Sequence, residues 1–146
     1  MKLFLDTADV ATVSQFWSTG LIDGLTTNPT LMMKAGQMPD KVYHDLRALG
    51  IRDISMEVVA ETSEGMLSEA RRLISLFGDC VTIKVPCTPE GLLACKELSN
   101  QNVRVNVTLI FSAAQAILAA KAGATYVSPF VGRVDDNSFD GISLIK

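Results

Sequence analysis

Short runs rich in branched and aromatic residues alternate along this chain with longer stretches whose apolar positions recur every three or four residues. That change of period between 2 and 3.6 is what strands followed by helices produce. Residues 2–6 (KLFLD) predict a strand, and 8–19 a helix carrying Val10, Val13, Phe16 and Trp17 on one face. A second strand is predicted near 22–27; Asn28-Pro29 ends it, because proline restricts the residue before it, and a turn starts there. Helical sequence follows at 29–35 and 39–49, a third strand at 53–59 (DISMEVV), and at 63–77 a helix with Met66, Leu67, Ala70, Leu73 and Ile74 at helical spacing. The fourth strand, 80–85, precedes a helix at 89–99; the fifth, 103–109, precedes one at 111–122; the sixth, 125–128, is followed by a VGRVDD loop. Phe4, Phe16, Phe77, Met32 and Met33 are assigned to the core.

Strict alternation argues for a parallel sheet with helical crossovers, an α/β fold. Two architectures satisfy it: an open doubly wound sheet, or a (β/α)8 TIM barrel of which about six β/α units are present. An open nucleotide-binding sheet would carry a glycine-rich phosphate loop after its first strand, where this chain has DTADVA. No linker or low-complexity tract interrupts residues 1–146, which are read as a single, partial barrel domain.

Strands of a sheet buried on both faces should be continuously apolar. These strands break that rule at their C-terminal ends, with Asp6, Thr26 and Asn28, Glu57, Lys84, Asn106 and Thr108, and Ser128. Side chains two apart share a face, so Thr26/Asn28, Thr82/Lys84, Asn106/Thr108 and Ser128/Phe130 each point one way. On the inner face of a barrel they would converge at its C-terminal mouth, where the active sites of such barrels lie. Each residue also has an ordinary role available. Asp6 could cap a helix, Asn28 serve a turn, Glu57 and Lys84 form a buried ion pair, Thr108 favour a strand, and Arg133 be solvated in a loop. Their common place at one end of successive strands is what points to a site.

Lys84 sits inside the apolar run TIKVP. Burial disfavours the charged form of an amine, and a neutral amine is a nucleophile for carbonyl carbons, the first requirement of Schiff-base chemistry. The remaining composition narrows the alternatives. With 48% hydrophobic and 20% charged residues the chain has material for a core. A net charge of −3 provides no general field for nucleic acid or an anionic membrane, so an anionic ligand needs a local cation. Cys80, Cys87 and Cys95 lack C-x-x-C spacing and suit a reducing cytoplasm. No apolar run is long enough to span a bilayer, and Asp6 interrupts any signal-peptide core. No His/Cys cluster suggests a metal, and His44, the one histidine, lies on an amphipathic helix where a surface or core-edge place is expected.

The stretches FLDTAD, DGLTTNPTL, TIKVPCTPEGLLA and VNVTLIFSAAQAILAAKAGATYVSPFVGR, with the DD after them, resemble the transaldolase family, in particular its short branch that also contains the fructose 6-phosphate aldolases. The resemblance covers nearly the whole chain. It implies a (β/α)8 barrel, no metal or organic cofactor, and a Schiff base on Lys84. It implies that Asp6 is the acid/base for carbon–carbon cleavage and that Glu57 and Thr108 hold a proton-shuttling water. Asn28 and Asn106 would bind ketose hydroxyls, Ser128 and Phe130 shape the site beside Thr26, and Arg133 bind the sugar phosphate. The aldolases of the branch carry Gln and Tyr where this chain has Glu57 and Phe130, so the pair here is that of a transaldolase. A ring without a hydroxyl cannot protonate the carbanion, which favours transfer over release of dihydroxyacetone. The implied partners are sugar phosphates of the pentose phosphate pathway and, as in the family's pentameric or decameric rings, further copies of the chain. Members of the family continue for about two more β/α units and a C-terminal helix, and six strands cannot close an eight-stranded barrel. Two rivals to the transaldolase reading are therefore a fructose 6-phosphate aldolase and a catalytically inactive assembly subunit.

Overall fold

The computed structural model describes residues 1–138 and 140–146. Six parallel strands alternate with helices: β1 (Phe4–Asp6), α1 (Val10–Trp17), β2 (Gly24–Thr26), α2 (Pro29–Ala35), α3 (Pro39–Ala48), β3 (Ile54–Glu57), α4 (Ser63–Phe77), β4 (Val81–Pro86), α5 (Pro89–Asn100), β5 (Val105–Ile110), α6 (Ala113–Ala122), β6 (Tyr126–Pro129) and α7 (Val131–Asp136). This is the α/β alternation of a (β/α)8 barrel, with six of its eight units among the described residues. None of the helices among these residues is long and apolar enough to cross a membrane.

The chain divides into two compact units, residues 1–57 with 70–82, and residues 58–69 with 83–146. In the first, β1 pairs with β2 and β2 with β3, all parallel, so neighbours in space are neighbours in sequence. Leu25, Ile54 and Met56 of these strands are fully buried, as are Val13 of α1 and Leu46 of α3, each contributing about 1.5–3 kcal/mol by leaving water. Tyr43 and Phe77 close this core with an edge-to-face contact, ring centroids 5.6 Å apart. In the second unit β4 pairs with β5 and β5 with β6, again parallel, over a core that includes Ile83, Val85, Ala94, Cys95, Leu98, Val105 and Val107.

Local sequence explains how strands hand over to helices. Asp9, Asn28, Thr88 and Ser112 each accept a hydrogen bond from the backbone N–H three residues on and so cap α1, α2, α5 and α6. Proline opens α2 and α5, where its missing N–H costs nothing. These caps also trim the predicted spans: α1 begins at Val10 rather than residue 8, and α6 at Ala113 rather than 111. Gly91 lets α5 start directly off β4, because a Cβ there would run into the Pro86 carbonyl.

Three expectations are corrected. VGRVDD is the helix α7, its turns closed by Val134 N–H to Phe130 O and Asn137 N–H to Val134 O, so Arg133 is a helical residue. Phe16 is 45% and Met33 78% exposed, so neither belongs to the core. Only Val13 of the predicted apolar face of α1 is buried, and on α2 the burial falls on Met32.

Candidate active site

In the first unit the register sets Asp6 beside Thr26 and Thr26 beside Ser55. The Thr26 hydroxyl donates to Asp6 Oδ1 at 2.8 Å and thereby orients the carboxylate. Helix capping does not account for Asp6, since α1 is capped by Asp9. Behind Thr26, the buried Thr27 hydroxyl donates to the Ser55 carbonyl at 2.9 Å and shares a hydrogen bond with the Tyr43 hydroxyl at 3.1 Å, tying β2, β3 and α3 together. Burial pushes the Tyr43 phenol above its ordinary range; the Thr27 hydrogen bond opposes that shift and the nearby charge of Glu57 adds to it. Glu57 itself is half-buried at the end of β3. Asn28 is the N-cap of α2: its Oδ1 accepts from Leu31 N–H at 2.9 Å, so the end of Asn28 suited to a ligand is its amide NH2.

The second unit holds the remaining candidates. Lys84, in the middle of β4, is 4% exposed and in register with Asn106, which is 2% exposed. Asn106 Oδ1 accepts from the Ser128 hydroxyl at 2.8 Å, an assignment that directs the Asn106 NH2 elsewhere. Thr108, in register with Pro86, is 1% exposed, and its Oγ1 has no hydrogen-bond partner among the described residues. Leaving a buried hydroxyl unpaired costs about 1–3 kcal/mol, and such a group is completed by a water or a ligand. Phe130, just past β6, meets Phe111 edge to face, centroids 5.6 Å apart. Arg133 on α7 stands in solvent, 3.6 Å from Asp136 in a pair whose side chains are 72% and 65% exposed. A surface pair of that kind holds its partners weakly, so the guanidinium is open to an anion.

Other nucleophiles are less suitable. Burial raises the Cys87 thiol, and it pushes Cys95 up to about 11 against the opposing charge of Lys96, so neither is a thiolate at neutral pH. His44 is exposed beside Asp45, as its place on an amphipathic helix predicts. Among the described residues no three His, Cys, Asp or Glu side chains are grouped to hold a metal ion.

Two features lie outside what the periodicity predicts. The helical pattern begins at Phe111, yet that residue precedes α6 and its ring packs on Phe130. Asp53 and Thr82 form a buried pair, Thr82 Oγ1 donating to Asp53 Oδ1 at 2.6 Å. The signal for that pair was available: a charged residue heading a strand two positions before Ser55, and a threonine sharing the face of Lys84.

Comparison with known proteins gives a consistent result. A family described as transaldolase/fructose-6-phosphate aldolase matches residues 3–146. A protein named probable transaldolase from Nitrosopumilus maritimus is 50% identical over all 146 residues, which cover 65% of its own length. Proteins with the same name from Novosphingobium aromaticivorans and from an Anaeromyxobacter strain are each 54% identical, over 100% and 99% of this chain and 67% of theirs. The chain thus spans about two thirds of the length of these relatives.

Proposed function

This chain belongs to the transaldolase/fructose-6-phosphate aldolase family, and from that premise we propose that it forms a Schiff base through Lys84 and transfers a dihydroxyacetone unit from a ketose phosphate to an aldose phosphate. The observation that carries the reading is a lysine 4% exposed at the centre of β4, with an unsatisfied, buried Thr108 hydroxyl opposite Pro86, two residues further along. Lys84 Nζ adds to the C2 carbonyl, and loss of water yields an iminium ion that accepts the electron pair of the C3–C4 bond. Asp6, held by Thr26, takes the proton of the C4 hydroxyl as that bond breaks and the aldehyde leaves. The three-carbon enamine stays on Lys84 until an acceptor aldehyde arrives, when the same steps run in reverse.

Asn106, Asn28 and Ser128 bind or orient the ketose hydroxyls, and Arg133 provides a fork of donors for the phosphate. A water completing the Thr108 hydroxyl, with Glu57 as its acid/base partner, carries protons for addition and hydrolysis of the imine. Glu57 and Phe130 favour transfer over the free aldolase reaction, because Phe130 has no hydroxyl with which to protonate the enamine.

Borohydride reduction with fructose 6-phosphate, followed by peptide mapping, tests the nucleophile: the adduct is expected on Lys84. An unmodified chain would favour the inactive assembly subunit. Assays of fructose 6-phosphate with and without erythrose 4-phosphate as acceptor separate the two activities, since free dihydroxyacetone as the main product without acceptor would indicate the aldolase. Thr108→Val removes the orphaned hydroxyl at nearly constant volume. It is expected to slow imine formation by about 10–100-fold while raising stability by ~1 kcal/mol, the relief of an unpaired buried group. Trapping rate and melting temperature measure the two effects separately; equal trapping rates would remove Thr108 from the mechanism.

A further inference from the structure

β5 has one residue more than β6 can match. Val107 stands opposite Val127 and Ile110 opposite Pro129, so three steps on one strand meet two on the other. Thr108 and Leu109 together therefore face Ser128, a β-bulge. The extra residue is accommodated at Leu109, whose φ of 60° lies in the left-handed region that leucine rarely adopts. Its side chain is 38% exposed, whereas Thr108 and Ile110 on either side are each 1% exposed. A conformation of this kind persists only where its surroundings impose it, and such outliers gather at functional sites.

The bulge changes which face the succeeding residues occupy. Val127 and Pro129 share one face of β6, so Val107 and Ile110, an odd number of residues apart, share the matching face of β5. Phe111 is thereby turned to the other face, the one that carries Asn106 and Thr108. There it packs on Phe130 with ring planes at 63°, while the Phe130 N–H donates to the Ile110 carbonyl at 2.9 Å. In a regular strand Phe111 would lie on the face of Val107, and Phe130 would lose this partner.

We propose that Leu109, through its bulge, and Phe111 are positioning residues that fix the Phe130 ring and thereby set how the enamine divides between transfer and release. The inference rests on the Schiff-base reading above. In release, a proton from water adds to the enamine carbon and regenerates an iminium ion. A second water adds at its C2 carbon, and dihydroxyacetone departs with the Lys84 amine restored. In transfer, the same carbon bonds instead to the carbonyl carbon of the acceptor, whose oxygen takes the proton held by Asp6. A fixed Phe130 ring offers no proton and keeps water from that carbon. A ring that has lost its edge-to-face neighbour admits water.

The test compares Phe111→Ala, Leu109→Val and Leu109→Asn with the unsubstituted chain, using fructose 6-phosphate as donor and erythrose 4-phosphate as acceptor, so that the transfer product is sedoheptulose 7-phosphate. Three quantities are read: dihydroxyacetone released, product transferred, and borohydride adduct on Lys84. Phe111→Ala is expected to raise the ratio of release to transfer roughly fivefold, the scale of a lost aromatic pair. Leu109→Val, branched at Cβ and unable to hold the left-handed conformation, should do the same, and Leu109→Asn, which tolerates it, should keep the original ratio. Adduct yield stays constant throughout, which separates the effect from loss of folded protein. If Leu109→Val does not fold, Phe111→Ala and Phe111→Leu decide between them. An unchanged ratio in the Phe111 variants with the adduct still forming overturns the inference, as does a Leu109→Asn ratio equal to that of Leu109→Val. Failure of the unsubstituted chain to form any adduct overturns the Schiff-base reading, and this inference with it.

Discussion

Lys84→Met is expected to abolish the borohydride adduct and to lower transfer by ~10⁴-fold or more, since no other group forms the covalent intermediate. Methionine matches the length of the lysine stem and suits a position that is 4% exposed, so the apolar surroundings in β4 are retained. Circular dichroism and a thermal melt on the same sample check that folding survives. Lys84→Arg is the more demanding companion. It places a permanent cation at the position, but a guanidinium does not condense with a ketone under these conditions. Both variants should be inactive. Turnover retained in Lys84→Arg would mean that the charge, and not the nucleophile, is what the position supplies, and the mechanism would fall.

Asp6→Asn has a different expected signature. The new side-chain oxygen can still accept the hydrogen bond that Thr26 donates to Asp6 Oδ1 at 2.8 Å, so the local geometry is kept while the capacity to take a proton is removed. Loss of a positioned general base costs about 10²–10⁴ in rate. The loss should fall on carbon–carbon cleavage alone: borohydride still traps fructose 6-phosphate on Lys84, but the adduct carries the whole sugar rather than three carbons. Mass spectrometry of the labelled peptide distinguishes the two. A three-carbon adduct formed at the original rate would show that another group removes the C4 proton, and a complete absence of adduct would place Asp6 in imine formation.

Much of this framework is legible in the chain because it is written locally. Asn28-Pro29 and Thr88-Pro89 each contain both halves of a helix start, a side-chain acceptor and a residue without an N–H, and the helices begin there. The polar residues at the strand ends stand out because a buried strand has no other use for them. Lys84 and Asn106 are indeed in register, and Asp6 lies beside Thr26. Where the reading failed, the missing information was not local. Phe16 carries the right spacing for a core face and is nonetheless exposed, because spacing states which residues share a side of a helix but not how far its neighbours extend over them. VGRVDD, with a glycine and two aspartates, has the composition of a loop, yet it closes hydrogen-bonded turns directly after β6.

By itself, then, the sequence determined the α/β alternation, the strand ends at which polar groups are placed, and the family to which they belong, since periodicity, caps and motifs act over a few residues. Tertiary structure alone decided that Thr108 buries a hydroxyl with no partner among the described residues, that Ser128 rather than solvent orients Asn106, and that Phe111 lies against Phe130. The physical reason is that the face on which a strand residue lies is set by its pairing with another strand. One extra residue at Leu109 reverses that face for Ile110 and Phe111, and nothing in the run VNVTLIF announces where the pairing slips.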